Sequence, residues 1–542
     1  MSNKFLRGTF VLTLGTYISR ILGMIYIIPF TALVGIPGNG LYQVGYVQYA
    51  LFLSIATAGF PMAVSKYVSK YNALGDYETS RRMFKTGLIV MSITGVLAFL
   101  VLFSLSPYFA QWALSKNEIG GVTVEDAIFV TRMVSLALIL VPIMSLFRGF
   151  FQGHQSMGPT AVSQVIEQIV RIIFLLGATY YILKVIKGDL VTAVGYATFA
   201  ALVGAVGGLI VLIIYWFRRK GSLLAMQKNE IPSHNIPVKT MFKEVFSYAL
   251  PFVFVGLAIP LYNFIDTFTF NSAMVRAGFE SVAFEHFSIT TALVPKLVMI
   301  PVSLATAFGL TLIPSVTEAF TNKNYEGLRR QIDQTLQIIM FLVLPAVIGL
   351  SVLAGPAYNV FFSGKSLELG QDILMWYAPV ALLFSLFTVN AAILQGLNKQ
   401  KLAVISLVLG ILVKLVLNMP LIEMFQSVGS IAATALGYLV SLIYGFAMIK
   451  RHAHYSYGVL IKRTFLILTL GIFMGLTVSV TQSILDIFIT YSDGGTQSVT
   501  VLVISVIVGG AVYLYLAYRS HLLEKLFGSR ILKFIPGRRR EY

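Results

Sequence analysis

The stretch Gly75-Asp76-Tyr77-Glu78-Thr79-Ser80-Arg81-Arg82 returns 248 positions later as Lys323-Asn324-Tyr325-Glu326-Gly327-Leu328-Arg329-Arg330. In both places the Tyr-Glu-x-x-Arg-Arg pattern follows a long apolar run. A second echo lies 243 positions apart, where Phe151-Gln152-Gly153 matches Leu394-Gln395-Gly396. At that offset Ser163 falls on Ser406 and Arg171 on Lys414. Two echoes at nearly one spacing define an internal repeat. Six apolar segments separate the matching elements, and six is even, so the halves share one orientation. They are related by an axis along the membrane normal, as in transporters with parallel repeats, where the substrate lies between the lobes and access alternates by rocking.

Composition sets the surroundings of that repeat. Of 542 residues, 57% are hydrophobic and 11% charged, with a mean hydropathy of +0.82. Soluble domains carry about 25% charged residues, so an ordinary globular enzyme is excluded. A membrane helix needs about 20 mostly apolar residues. Fourteen such segments read along the chain: 9–36, 44–71, 84–112, 126–149, 157–183, 189–217, 242–275, 285–318, 330–355, 370–395, 401–423, 428–449, 460–488 and 498–519. The first is too long for a removable signal peptide. None has the alternation of a membrane barrel strand. The expected fold is an all-α polytopic membrane protein with two pseudo-symmetric six-helix lobes and two extra C-terminal helices.

Loop charge orients the spans. With both termini cytoplasmic, the inner segments hold 30 of the 40 basic residues and nine carboxylates, while the outer loops hold five basic residues against eleven carboxylates. That bias through every loop is the positive-inside pattern, N-in and C-in. It accounts for a formal charge of +18 without a nucleic-acid partner. The polar connection from Arg218 to about Thr240 divides the chain, giving an N-lobe at 1–228, a C-lobe at 229–455, the extra helices at 456–520 and a basic cytoplasmic tail at 521–542. The Arg538-Arg539-Arg540 run reads as an anchor against anionic lipid. The absence of Cys removes thiol chemistry and disulfides.

The motifs resemble a known family. Ser19-Arg20-Ile21-Leu22-Gly23 is similar to the Ser-Arg-x-Leu-Gly signature of the MurJ-type lipid II flippases, within the multidrug/oligosaccharidyl-lipid/polysaccharide exporter superfamily. Gln152-Gly153, Gln395-Gly396 and Ile313-Pro314-Ser315 resemble recurrent features of that superfamily, and details are closest to the Bacillus-type YtgP- and SpoVB-like branch. The resemblance spans the whole chain. It implies a multi-pass protein of the bacterial plasma membrane that moves undecaprenyl-pyrophosphate-linked disaccharide-pentapeptide to the outer leaflet, in concert with the cell-wall synthesis machinery. It carries a cationic cavity role to Arg20 and to Lys296, the latter as Lys for Arg. Some relatives have a second Arg where this chain has Tyr26. In some relatives an Asp of the seventh helix binds sodium with side chains of the eleventh, which points to Asp266 and Asn418. Coupling to sodium or to the membrane potential is thus expected, with no other cofactor. The extra helices would edge a groove for the polyprenyl tail.

The buried charges support an anionic ligand independently. At about 1.5 Å per residue, Arg20, Arg171, Lys296 and Lys414 fall roughly 15–22 Å from their helix ends, near the bilayer midplane. A cation there costs about 2.5–3.5 kcal/mol and faces a partner or a wet cavity. Together with Arg132 they make five intramembrane cations against two carboxylates, Glu167 and Asp266. Glu167 and Arg171 are spaced i,i+4 with Glu first, which suits a same-helix ion pair; a substrate role for Arg171 is the other reading. Lys414 has no charge four positions away, so helix packing and substrate contact both remain open. Gly15 and Gly23 open space around Arg20, and Pro295 and Pro301 flank Lys296. Guanidinium and ammonium groups suit pyrophosphate oxygens. Arg132 and Arg148, nearer the interfaces, are expected to snorkel.

Rival functions are constrained by the same residues. The six His are scattered, and neither H-E-x-x-H nor a P-loop is present, so enzyme chemistry is not expected. A drug antiporter for cations would need an acidic cavity. A flippase for teichoic-acid, capsule or spore-cortex intermediates shares the pyrophosphate handle. A non-transporting scaffold in wall synthesis or sporulation is the alternative of another class.

Overall fold

A computed structural model describes residues 3–57, 59–115, 118–225, 253–362, 364, 366–493 and 495–527. The described chain is almost wholly helical. Two compact units divide it, Met1–Thr291 and Ala292–Tyr542. The division falls inside a single π turn, Ile289–Leu293.

In the first unit, α1 (Asn3–Ile25) bends by 41° into α2 (Ile27–Thr57). The backbone of α2 leaves helical geometry at Gly35, whose φ of 70° and ψ of −169° suit only glycine. There the chain folds back. Phe30 and Tyr42 ring centroids lie 5.4 Å apart, and Asn39 Nδ2 donates to Thr31 Oγ1 at 3.1 Å and to the Gly35 carbonyl at 2.7 Å. Residues twelve apart on an unbroken helix would be about 18 Å apart. Next come α3 (Phe60–Ala73), α4 (Tyr77–Leu114), a small antiparallel hairpin of β1 (Glu118–Ile119) and β2 (Val122–Thr123), α5 (Val124–Ser135), α6 (Val141–Gly153), α7 (Gly158–Tyr180) and α8 (Leu190–Ala225). Then α9 (Ala258–Arg276) and α10 (Glu280–Ser288) complete the unit.

The second unit holds α11 (Val294–Thr321), α12 (Tyr325–Val352), α13 (Ala354–Phe362), α14 (Leu367–Tyr377), α15 (Val380–Gly396), α16 (Gln400–Ala453), α17 (Gly458–Asp486), α18 (Gly495–Arg519) and α19 (Leu522–Phe527). At 54 residues, α16 would run about 81 Å if straight, against a hydrocarbon core of about 30 Å. It breaks at Gln426 (φ 53°, ψ −129°) and doubles back, so that Ser406 and Ser441 exchange hydroxyl-to-carbonyl bonds of 2.7 and 2.8 Å.

Ten helices among the described residues are long and apolar enough to cross a membrane, or eleven with the bent α1–α2 pair. The folds at Gly35 and Gln426 divide two of these into pairs, and the seventh expected span is described only from residue 253. The architecture is therefore consistent with the fourteen spans. The lobe boundary expected at 228/229 lies outside the described residues. The described part of the seventh span packs within the first unit: Phe264 meets the Phe109 ring edge-on and Phe268 meets it tilted, and Asn271 Nδ2 donates to the Ala113 carbonyl at 2.7 Å.

The repeat holds in the local geometry of both echoes. Asp76 caps α4 by accepting from Thr79 N–H at 2.9 Å, and Asn324 caps α12 by accepting from Gly327 N–H at 2.9 Å. The preceding residues, Gly75 and Lys323, both have positive φ. In the second echo, Ser156 N–H reaches the Phe151 carbonyl at 2.9 Å, and Lys399 N–H reaches that of Leu394 at 2.8 Å. Both glycines of the Gln-Gly pairs exist for close approach. A Cβ on Gly153 would lie 2.8 Å from the Ser65 carbonyl and 2.7 Å from Val68 Cβ. One on Gly396 would meet Ile313 and Val316, the residues 248 positions further on, at 3.2 and 2.8 Å.

Candidate functional site

In the second unit a cavity of about 490 Å³ lies among α11, α12, α17 and α18. Its walls include Leu297, Ile300, Pro301, Pro345, Gly510 and Tyr513, and among the described residues the Tyr513 hydroxyl is the only oxygen- or nitrogen-bearing side-chain group lining it. Pro345 lacks an N–H, which deprives the Phe341 carbonyl of its helical donor. Tyr513 supplies the replacement, donating to that carbonyl at 2.9 Å while its ring packs 5.2 Å from Phe341. Leu522, Leu523 and Leu526 of α19 join the same buried cluster as Phe341, Met474 and Tyr513. Extra helices and core are also bolted together at one end of α12. Tyr455 donates to Asp333 at 2.6 Å, Gln337 donates to the same carboxylate, and Arg463 donates to Gln337. Burial, then the bond to Asp333, pushes the Tyr455 phenol well above its usual range, so it remains a donor at physiological pH.

Lys296 immediately precedes Leu297 on the groove-lining helix and is half-buried. It makes no hydrogen bond or ion pair among the described residues. Arg20 is exposed on α1 and likewise makes none among them. The reading of Gly15 and Gly23 as open space around Arg20 is corrected. These glycines are filled by α7: a Cβ on Gly15 would lie 2.9 Å from Ala161 Cβ, and one on Gly23 would lie 3.2 Å from Gln168 Nε2.

The proposed Glu167–Arg171 pair does not form. Glu167 instead accepts from Arg148 at 2.7 Å, and Arg148 also donates to Ser163 at 2.8 Å, whose hydroxyl reaches the Gly208 carbonyl at 3.0 Å. Arg148 therefore does not snorkel; its side chain is 15% exposed. Arg132 also turns inward, donating to Ser106 at 3.1 Å with its guanidinium 4.6 Å from the Phe103 ring centre. Arg171 donates to Tyr42 at 2.7 Å and Tyr46 at 3.4 Å, with its guanidinium 5.2 Å from the Tyr46 ring centre. Lys414 is fully buried within the α16 hairpin and donates to Thr434. Asp266 in the first unit and Asn418 in the second are both buried. Thr267, next to Asp266, spends its hydroxyl on the Asn263 carbonyl at 2.8 Å.

Sequence reasoning missed these partners, though some left a signal. Tyr42, Tyr46 and Tyr49 at i, i+4 and i+7 mark one helix face. Pro345 stands four residues after Phe341, which announces a freed carbonyl without revealing Tyr513 as its donor.

Two repeats of membrane-spanning helices, an apolar groove and cations without carboxylate partners define a multi-pass membrane protein of the transporter class. The chain belongs to the polysaccharide biosynthesis protein family, whose model matches residues 5–320. A second model, MatE, matches residues 251–420. The chain is 63% identical over 536 residues to the lipid II flippase MurJ of Bacillus subtilis (strain 168), covering 98% of each chain. It is 24% identical over 416 residues, 76% of each chain, to the stage V sporulation protein B of the same organism. In fold it matches the inward closed conformation of a lipid II flippase MurJ, with a TM-score of 0.67, 13% identity and coverage of 95% of this chain and 99% of the other.

Proposed function

We propose that the protein is a lipid II flippase, carrying undecaprenyl-pyrophosphate-linked disaccharide-pentapeptide from the inner to the outer leaflet by alternating access, with no covalent step. Both termini lie in the cytoplasm in this reading. The observation that carries it is the placement of Lys296 beside Leu297: one helix offers a cation and an apolar groove, the two chemistries of an anionic headgroup on a hydrocarbon tail. Arg20 is the second cation for the pyrophosphate. Depleting the protein in cells without a redundant flippase is expected to abolish outer-leaflet accessibility of labelled lipid II. An unchanged signal would remove the proposal.

The groove gains little free energy over lipid, because both are apolar. It acts by steering the tail while the headgroup crosses. A Cβ on Gly510 would meet nothing within 4 Å, so a side chain there starts into open space, and Gly510→Phe is expected to reach into the groove. Transport is expected to fall on the order of tenfold with thermal stability retained. Normal transport by this variant would take the tail out of the groove.

Sodium at Asp266 is the coupling we favour, alongside the membrane potential; hard cations need several oxygens, which neighbouring side chains and carbonyls would have to supply. Transport should then depend on sodium and lose that dependence in Asp266→Asn. Sodium-independent wild-type transport would leave the membrane potential as the driving force. The wall-synthesis machinery downstream is the expected partner. The likeness to a sporulation protein favours, as a second reading, another polyprenyl-pyrophosphate-linked saccharide; competition between lipid II and such lipids in vesicles separates the two.

A further inference from the structure

We infer that Arg171 is a positioning residue: it holds the α1–α2 elbow, and with it the helix that presents Arg20, against α7. The inference rests on the reading of Arg20 as a headgroup cation. Ala161, Gln164, Gln168 and Arg171 recur at i, i+3, i+7 and i+10, which is one stripe of α7. Each meets the elbow. Ala161 fills the hollow at Gly15, Gln168 that at Gly23, and Thr16 and Gln164 are hydrogen-bonded at 3.2 Å, all on α1. Arg171 alone of the four grips the chain beyond the Gly35 fold, through the hydroxyls of Tyr42 and Tyr46.

An aromatic column links the two arms. Ring centroids run Tyr26–Phe30 at 6.3 Å, Phe30–Tyr42 at 5.4 Å and Tyr42–Tyr46 at 5.5 Å. The middle contact bridges Gly35, so whatever fixes Tyr42 also fixes the arm that ends in α1. Glu167 is committed to Arg148, leaving two phenol oxygens and a ring face to hold the Arg171 charge. A planar fork reaches two phenols at once, which an ammonium does less well. The repeat-related Lys414 donates to Thr434 inside its own hairpin.

The chain has no Cys, which makes a two-label distance measurement direct. Spin labels at Ile21→Cys on α1 and Ile173→Cys on α7, both exposed, report the elbow in substrate-free protein. With Arg171 intact, one narrow distance distribution is expected. Arg171→Met should broaden it and lower transport about tenfold. Tyr42→Phe with Tyr46→Phe, which keeps both rings, should broaden it in the same way, and Arg171→Lys should recover part of the narrow population. In transport, Arg171→Met combined with Arg20→Ala should be little worse than Arg20→Ala alone. A distribution unmoved by Arg171→Met and by the double phenylalanine variant overturns the positioning role. Full transport by Arg20→Ala overturns instead the headgroup reading, which the substrate-free distances do not touch.

Discussion

Arg20→Ala and Lys296→Ala are each expected to cut outer-leaflet delivery of lipid II roughly 10- to 100-fold, because a charge-assisted hydrogen bond contributes about 1.5–3 kcal/mol. The effect should fall on transport and spare the fold. Neither side chain has a hydrogen bond or ion pair among the described residues, so truncation strands no partner. Substitutions of that kind stay within about 0.5 kcal/mol in stability. Arg20→Lys keeps a point charge but loses the bidentate fork, and an intermediate rate is expected. Labelled lipid II exposed on vesicles, at matched protein levels, is the measurement. Full transport by both alanine variants would mean that the pyrophosphate is gripped elsewhere.

The Arg148–Glu167 pair should show the opposite pattern, a large loss of stability that a second substitution repairs. Removing one partner leaves the other charge uncompensated; a fully buried pair loses about 3–5 kcal/mol, and this part-buried one, with side chains 15% and 24% exposed, loses less. Arg148→Ala or Glu167→Gly should each lower the thermal midpoint strongly. The double variant should recover much of the loss, because no orphan charge remains. The second half of the chain carries this experiment already: at the 243-residue offset, Arg148 falls on Ala391 and Glu167 on Gly410, while Ser163 keeps its counterpart in Ser406. Ser163 and Ser406 make matching bonds, to the carbonyls of Gly208 and Ser441. Additive losses in the double variant, read by thermal unfolding in detergent, would show that the two residues act separately.

The repeat was readable because its markers are local. A cap acts on the next turn of its own helix, so Asp76 and Asn324 announce their helices in any tertiary setting. The Gln-Gly pairs were visible as echoes, though not as the contacts with Ser65 and Ile313 that explain them. Hydropathy separated the spans on either side of the folds at Gly35 and Gln426, since a bilayer limits the length of one crossing.

What the sequence determined by itself is the multi-pass helical class, the two-fold repetition and the surplus of intramembrane cations, all set by periodicity and by counting. Only the tertiary structure decided which charges are already held. The i,i+4 spacing permits a Glu167–Arg171 pair, yet Arg148 from α6 takes the carboxylate and tyrosines from α2 take the guanidinium. Lys414 is held by Thr434, and Arg132 by Ser106. Spacing fixes the face on which a side chain stands, but the neighbouring helix determines what that face meets. Arg20 and Lys296 are thereby singled out from five intramembrane cations as the pair without a hydrogen bond or ion pair among the described residues.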